Sequence, residues 1–114
     1  MATQSFKDLL VRQRASDLSV DLYRAFSLTK DYSFRDQIQR AELSVPNNIA
    51  EGYARRSDKA LRNFLMIAKG SAVEVESMLT IATRLNYIST EQQEKLTAQV
   101  QEIQKLLSGF IKKL

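Results

Sequence analysis

The feature that most constrains the fold is a run of apolar residues that recur at alternating steps of four and three. Seven residues in the middle of the chain follow this spacing without a fault: Leu61, Leu65, Ala68, Ala72, Val75, Leu79 and Ala82. This period places them along one face of an α-helix, as in a coiled-coil seam. The 114 residues include only three glycines and one proline, whereas sandwiches and barrels need many turns. The sequence therefore predicts long helices with few connections.

Two further stripes of the same kind flank the proline region and predict a first and a last helix. The first helix should cover residues 8–28, with a stripe of Val11, Ala15, Leu18, Leu22, Ala25 and Thr29. The last should open at Ser89 or Thr90, where Gln92 or Gln93 has capping-box spacing. Its stripe is Leu96, Val100, Ile103, Leu107, Phe110 and Leu114.

The remaining helix contains the single proline. Ser33 could cap it, and its stripe is Phe34, Ile38, Ala41, Val45, Ile49 and Tyr53. Either this helix is kinked at Pro46, or Pro46 opens a second short helix; the unbroken period favours the kink. Gly52 should allow a neighbouring helix to approach closely. We therefore predict an all-α fold with one domain over residues 1–114, an antiparallel up-down-up-down four-helix bundle with helix two kinked at Pro46.

Composition excludes most catalytic chemistry. The chain has no cysteine and no histidine, so it has no thiolate metal site, no Ser/His/Asp or Cys/His arrangement, and no Glu-x-x-His di-metal site. It also lacks a glycine-rich phosphate loop. We expect no enzyme activity, no metal and no cofactor. No apolar run is long enough to span a membrane, and residues 1–8 lack an apolar signal core, so a cytoplasmic location is expected.

The positive charge is concentrated in one short window. The formal net charge is +4, and residues 52–70 carry five basic residues against Asp58, while the remainder is balanced at 12 basic and 12 acidic residues. One interpretation is a solvated face. The other is a nucleic-acid interface in which Arg55, Arg56, Lys59 and Arg62 contact phosphate. Tyr53 could then stack on a base.

Two polar residues, Asn48 and Glu51, flank the apolar position Ile49 in the proline region. The structural interpretation is that they satisfy backbone groups freed by Pro46, or that they pair with an arginine across the bundle or a subunit contact. A ligand-binding or catalytic role for Glu51 is the alternative.

The proline region resembles the family named for the 23S rRNA intervening-sequence protein. The residues that carry the likeness are Ser44-Val45-Pro46-Asn47-Asn48-Ile49-Ala50-Glu51-Gly52-Tyr53-Ala54-Arg55. Further likeness lies in Phe6-Lys7-Asp8-Leu9, in Gln37-Ile38-Gln39-Arg40-Ala41, and in Phe64-Leu65 with Ala68-Lys69-Gly70-Ser71. A tryptophan that the family usually carries before Gln13 is Arg12 here.

The resemblance implies a four-helix bundle that assembles into cyclic pentamers and has no catalytic residues. Many members are encoded within intervening sequences of large-subunit ribosomal RNA genes. The chain is also similar to a related branch, the accessory proteins of diversity-generating retroelements. The likeness to that branch implies a basic pentamer that acts as a partner of a reverse transcriptase and of nucleic acid. These likenesses favour a non-enzymatic nucleic-acid-binding or ribonucleoprotein accessory protein. The alternative is a scaffold whose basic face binds an acidic protein partner.

Several apolar residues lie outside the main stripes and point to self-association. They are Leu43 and Ala50 in helix two and Ile67 and Ile81 in helix three. A small monomer would leave them in water, and large exposed apolar patches usually mark interfaces. The residues predict more than one subunit, and the resemblance implies five.

Overall fold

The computed structural model describes residues 6–114, with side chains from Asp8 onward. It contains the helices α1 (Phe6–Ala25), α2 (Tyr32–Tyr53), α3 (Asp58–Arg84) and α4 (Thr90–Lys112). Residues 6–114 form no strand, so the all-α four-helix prediction is confirmed. The likeness at the side chains of Phe6 and Lys7, and the signal-core prediction at residues 1–5, lie outside this description.

The four helices form a ring in which each packs on two neighbours. The closely packed pairs are α1 with α2, α2 with α3, α3 with α4, and α4 with α1. Across the diagonal, the rings of Tyr53 on α2 and Phe110 on α4 lie 5.8 Å apart. The contacts between α1 and α4 run in opposite order along the two helices. Along α1, for example, Asp8 lies beside Lys113 and Asp21 beside Gln99 of α4. This places the end of α4 next to the start of α1.

The core lies along the centre of this ring and follows the predicted stripes closely. All seven seam residues of α3 are buried, as are Ile38, Ala41, Val45 and Ile49 of α2. The end of α1 differs from the prediction. The helix stops at Ala25, and the fully buried residue there is Phe26, instead of Ala25 or Thr29. The Phe26 ring lies 6.1 Å from that of Phe34, so it seals this end of the core.

Side-chain caps define where three of the helices begin. Asp31 caps α2 by accepting a hydrogen bond from the Phe34 N–H at 3.1 Å, so the predicted cap at Ser33 is wrong. Ser57 caps α3, and Ser89 with Gln92 forms the predicted capping box of α4. These bonds satisfy N–H groups that have no partner inside the helix.

Helix α2 continues through Pro46 without interruption. The alternative in which Pro46 opens a separate helix is therefore wrong, and the kink itself remains a prediction. The close approach predicted at Gly52 is confirmed. A Cβ atom added there would lie 2.8 Å from Leu61 Cδ1 and 3.1 Å from Phe64 Cβ, so α3 packs directly against the α2 backbone.

Candidate functional site

The basic residues of the sequence window lie at one end of the bundle. The end of α2, the turn at residues 54–57 and the start of α3 present Arg55, Arg56, Lys59 and Arg62, all exposed. The structure adds a cation that sequence reasoning missed. Lys112, near the end of α4, lines the same groove as Arg62 and Lys69. The basic end therefore combines residues from two distant parts of the chain.

The four predicted phosphate-contacting residues are not equivalent. The Arg55 guanidinium lies 2.7 Å from Glu51 Oε1 and 5.1 Å from the centroid of the Phe64 ring. This pair is half-exposed and one helical turn apart, so it adds little stability, but it offsets much of the Arg55 charge. Among the described residues, Arg56, Lys59 and Arg62 have no carboxylate partner. Glu51 thus pairs with an arginine of its own segment, and the predicted pairing across the bundle is wrong.

Tyr53 is half-buried and its ring is already in contact with other side chains. The Arg12 guanidinium lies 4.8 Å from the ring centroid, and the Phe110 ring lies 5.8 Å away. Burial raises the pKa of Tyr53 to about 12, with a further contribution from Asp8 and an opposing one from Arg12. Stacking on a base would require Arg12 to move. Arg12 therefore packs on Tyr53 through a cation–π contact, at the position where the resemblance described above implies a tryptophan.

Asn48 joins α2 to α3 through a small polar cluster. Its side-chain amide donates to the Ser44 carbonyl at 2.7 Å and to Ser44 Oγ at 2.9 Å. The Ser44 hydroxyl in turn lies 2.8 Å from Ser71 Oγ on α3. The bonded carbonyl is that of Ser44, whereas the carbonyl deprived of its donor by Pro46 is that of Glu42. Asn48 therefore has a structural role different from the one predicted.

The residue that sequence reasoning missed most clearly is Glu42, whose side chain is only 1% exposed. It hydrogen-bonds to Ser19 on α1 through Oε2, and its Oε1 has no partner among the described residues. Burial raises the pKa of Glu42 to about 8, against the opposing effect of the Ser19 bond. Its position offered a signal, because Glu42 lies four residues after Ile38 and three before Val45, within the buried stripe.

The hydroxyl of Ser19 gives a second reason to regard Glu42 as neutral at pH 7. Ser19 Oγ also lies 3.0 Å from the Ala15 carbonyl, and a hydroxyl has only one hydrogen to donate. If the Glu42 carboxyl is protonated, it donates to Ser19 while Ser19 donates to Ala15. Both contacts are then satisfied at once.

The described side chains offer no assembled site for a metal. From Asp8 onward, no three histidine, cysteine, aspartate or glutamate residues are grouped so that they could hold an ion. None of the four helices is long and apolar enough to cross a membrane.

Four helices packed in a ring, with a basic end, define a small all-α bundle protein. The family described as 23S rRNA-intervening sequence protein matches residues 7–109, so the chain belongs to this family. The chain is similar to a protein of unknown function from the S23 ribosomal protein family of Bacteroides thetaiotaomicron, which is known from a crystal structure. That protein is 30% identical, with a TM-score of 0.88 over 94% of this chain and 99% of the other. No curated protein matches the sequence.

Proposed function

We propose that the protein is a non-catalytic accessory protein that binds nucleic acid through the basic end of its bundle. The observation that carries this proposal is the set of exposed cations, Arg56, Lys59 and Arg62, that lie together without carboxylate partners among the described residues. Phosphate binding requires clustered positive charge of this kind. The family's description, which refers to 23S ribosomal RNA, supports RNA as the first nucleic acid to test.

Binding of this kind should show little sequence selectivity. Phosphate contacts position a protein on a nucleic acid but carry no base information. Tyr53, which directly precedes the turn at residues 54–57, is in contact with Arg12 and Phe110, so we do not include it among the contacting residues. Arg55 contributes less than its neighbours because Glu51 offsets its charge.

The test is RNA binding across a salt series, measured by fluorescence anisotropy on duplex and single-stranded probes. We expect the triple variant Arg56→Gln, Lys59→Gln, Arg62→Gln to flatten the salt slope by about 0.9 per lost duplex contact. The matched control removes the same charge elsewhere, with Lys30→Gln, Arg84→Gln and Lys95→Gln, all exposed positions. An equal loss in both variants would contradict this site, and no wild-type binding at low salt would contradict the function.

We propose further that the protein self-associates, with five subunits as the family resemblance implies. Support comes from the half-exposed apolar side chains of α2 and α3, Leu43 at 50%, Ile67 at 52% and Ile81 at 46% exposure. A contiguous patch of such residues would mark a subunit contact, and a closed ring is the usual result of a head-to-tail interface. A ring would also present several basic ends to one polyanion. Light scattering coupled to gel filtration tests this, and a mass near 13.0 kDa would contradict it.

A further inference from the structure

A groove runs between the first half of α3 and the last turns of α4. Its volume is about 580 Å³, and the residues that matter for its chemistry are Arg62, Met66, Lys69, Ile111, Lys112 and Leu114. This is within the size range of protein pockets that hold ligand groups. The groove shares only Arg62 with the three cations assigned above to phosphate binding.

The charged side chains that line the groove are all positive among the described residues. Arg62, Lys69 and Lys112 line it, and from Asp8 onward no aspartate or glutamate side chain does. None of the three forms an ion pair with a residue that the structure describes. An occupant with negative charge would gain three charge-assisted contacts here.

The groove also has an apolar component that a phosphate backbone would not use. Met66 is 54% exposed, and Ile111 and Leu114 are half-buried. Gly109 leaves open space, because a Cβ atom added there would have no heavy atom within 4 Å. No aromatic ring of the side chains that the structure describes lines the groove, so bases would find no stacking partner among them. Methionine, by contrast, adapts well to varied apolar side chains.

The spacing of the cations matches that of an α-helix. Arg62 and Lys69 are seven residues apart on α3, which corresponds to about 10.5 Å along the axis. Met66 lies between them on the same side. A second helix could lie along the groove and match this pattern. Its carboxylates at positions i and i+7 would face Arg62 and Lys69, and its apolar residues at i+3 and i+4 would face Met66.

We propose that this groove binds an acidic amphipathic helix of a protein partner. The apolar residues of that helix contact Met66, Ile111 and Leu114, and its carboxylates pair with Arg62, Lys69 and Lys112. The protein then has two binding surfaces at one end of the bundle, which share Arg62. Arg56, Lys59 and Arg62 bind nucleic acid, and the groove binds a protein segment. The proposal for the groove does not rest on the proposal for nucleic acid.

The probe for this proposal is a fluorescein-labelled 18-residue peptide (~27 Å as a helix) with glutamate at i and i+7 and leucine at i+3 and i+4. Binding to the full chain is followed by anisotropy and by amide chemical-shift mapping. We expect saturable binding and shift changes confined to the facing halves of α3 and α4. The variant Lys69→Glu, Lys112→Glu should weaken binding at least about tenfold, and a peptide with lysine in place of glutamate should restore it. Met66→Ser should also weaken binding, because it removes the apolar contact.

The matched control is Lys30→Glu, Lys95→Glu, which makes the same charge change outside the groove and should leave peptide affinity unchanged. Three results would overturn the proposal: no saturable binding, shift changes elsewhere, or displacement of the peptide by an oligonucleotide that itself maps to the groove. A change in subunit number in the Lys69→Glu, Lys112→Glu variant would assign the groove to a second copy and would also overturn it. Peptide binding that persists in an Arg56→Gln, Lys59→Gln variant would support the groove whatever the outcome for nucleic acid.

Discussion

Glu42 of α2 and Ser19 of α1 form a hydrogen bond inside the bundle, although they lie 23 residues apart in the sequence. The second oxygen of the same carboxyl has no partner among the described residues. A side-chain carboxyl group in this environment is far more favourable in its neutral, protonated form than as a carboxylate. The contact between the first two helices is therefore sensitive to the ionisation of one side chain.

The first prediction is a decrease in stability with rising pH that originates at Glu42. Its pKa is raised from 4.5 to about 8 on folding, so the folded state holds a proton that the unfolded state releases between these values. The contribution of Glu42 is fully present below pH 4.5 and is lost as the pH rises towards 8. The slope should reach at most about 1.4 kcal/mol per pH unit, measured by denaturant unfolding from pH 5 to 9.

Glu42→Gln should remove most of this slope, because glutamine imitates the neutral carboxyl and can still bond to Ser19. We expect the variant to be more stable than the wild type above pH 8. The exposed residue Glu94 supplies the control, since Glu94→Gln should leave the slope unchanged. Equal slopes in the wild type and Glu42→Gln would show that Glu42 is not the origin.

The second prediction concerns the close contact at Gly52. Gly52→Ala should lower the free energy of unfolding by about 1–3 kcal/mol, because the added methyl group meets Leu61 and Phe64. Gly70→Ala is the control, since a Cβ atom there meets nothing within 4 Å. It should raise stability by up to about 1 kcal/mol through helix propensity alone. Thermal unfolding distinguishes the two, and changes of the same sign would contradict the packing argument.

The third prediction concerns the start of α4. Ser89→Ala should cost about 1 kcal/mol, because it removes the acceptor of the Gln92 N–H bond at 3.0 Å. The control is Ser77→Ala, at an exposed position inside α3, which should change stability by less than about 0.5 kcal/mol. A Ser89→Ala variant with wild-type stability would mean that water replaces the cap without loss.

The fourth prediction concerns Pro46. Pro46→Ala supplies the N–H that the Glu42 carbonyl lacks, so we expect a gain of about 1–2 kcal/mol, reduced by the greater freedom of the unfolded chain. Asn47→Ala controls for helix propensity at the neighbouring exposed position.

A crystal structure of the wild type tests the predicted kink of α2 at Pro46 directly. A straight α2 would contradict it.

The sequence was sufficient to predict the helices because apolar spacing alone defines their buried faces. The prediction places Ala25 in the core, whereas the structure buries Phe26. Ala25 lies three residues after Leu22 and Phe26 lies four after it, and both positions fall on the same face of a helix. The sequence leaves Ala25 and Phe26 as equal candidates, and only the aromatic contact with Phe34 distinguishes them.

The candidate site could be predicted only in part. The basic turn is continuous in sequence, so its charge could be counted directly. Lys112 is far from the turn in sequence and joins it only because the end of α4 packs beside the start of α3. Glu42 was missed for another reason: charged residues are almost never fully buried, so a carboxyl within an apolar stripe is normally assigned to solvent.

The contact between Asp8 and Lys113, 2.7 Å long, has a practical consequence for engineering. It brings the start of α1 and the end of α4 together at the basic end, whereas the turn between α1 and α2 lies at the opposite end. A short linker that joins these helix ends, with a new opening near residues 27–30, would give a circular permutant. Fusion tags could then be attached about 44 Å, the long dimension of the molecule, from the basic turn and the groove.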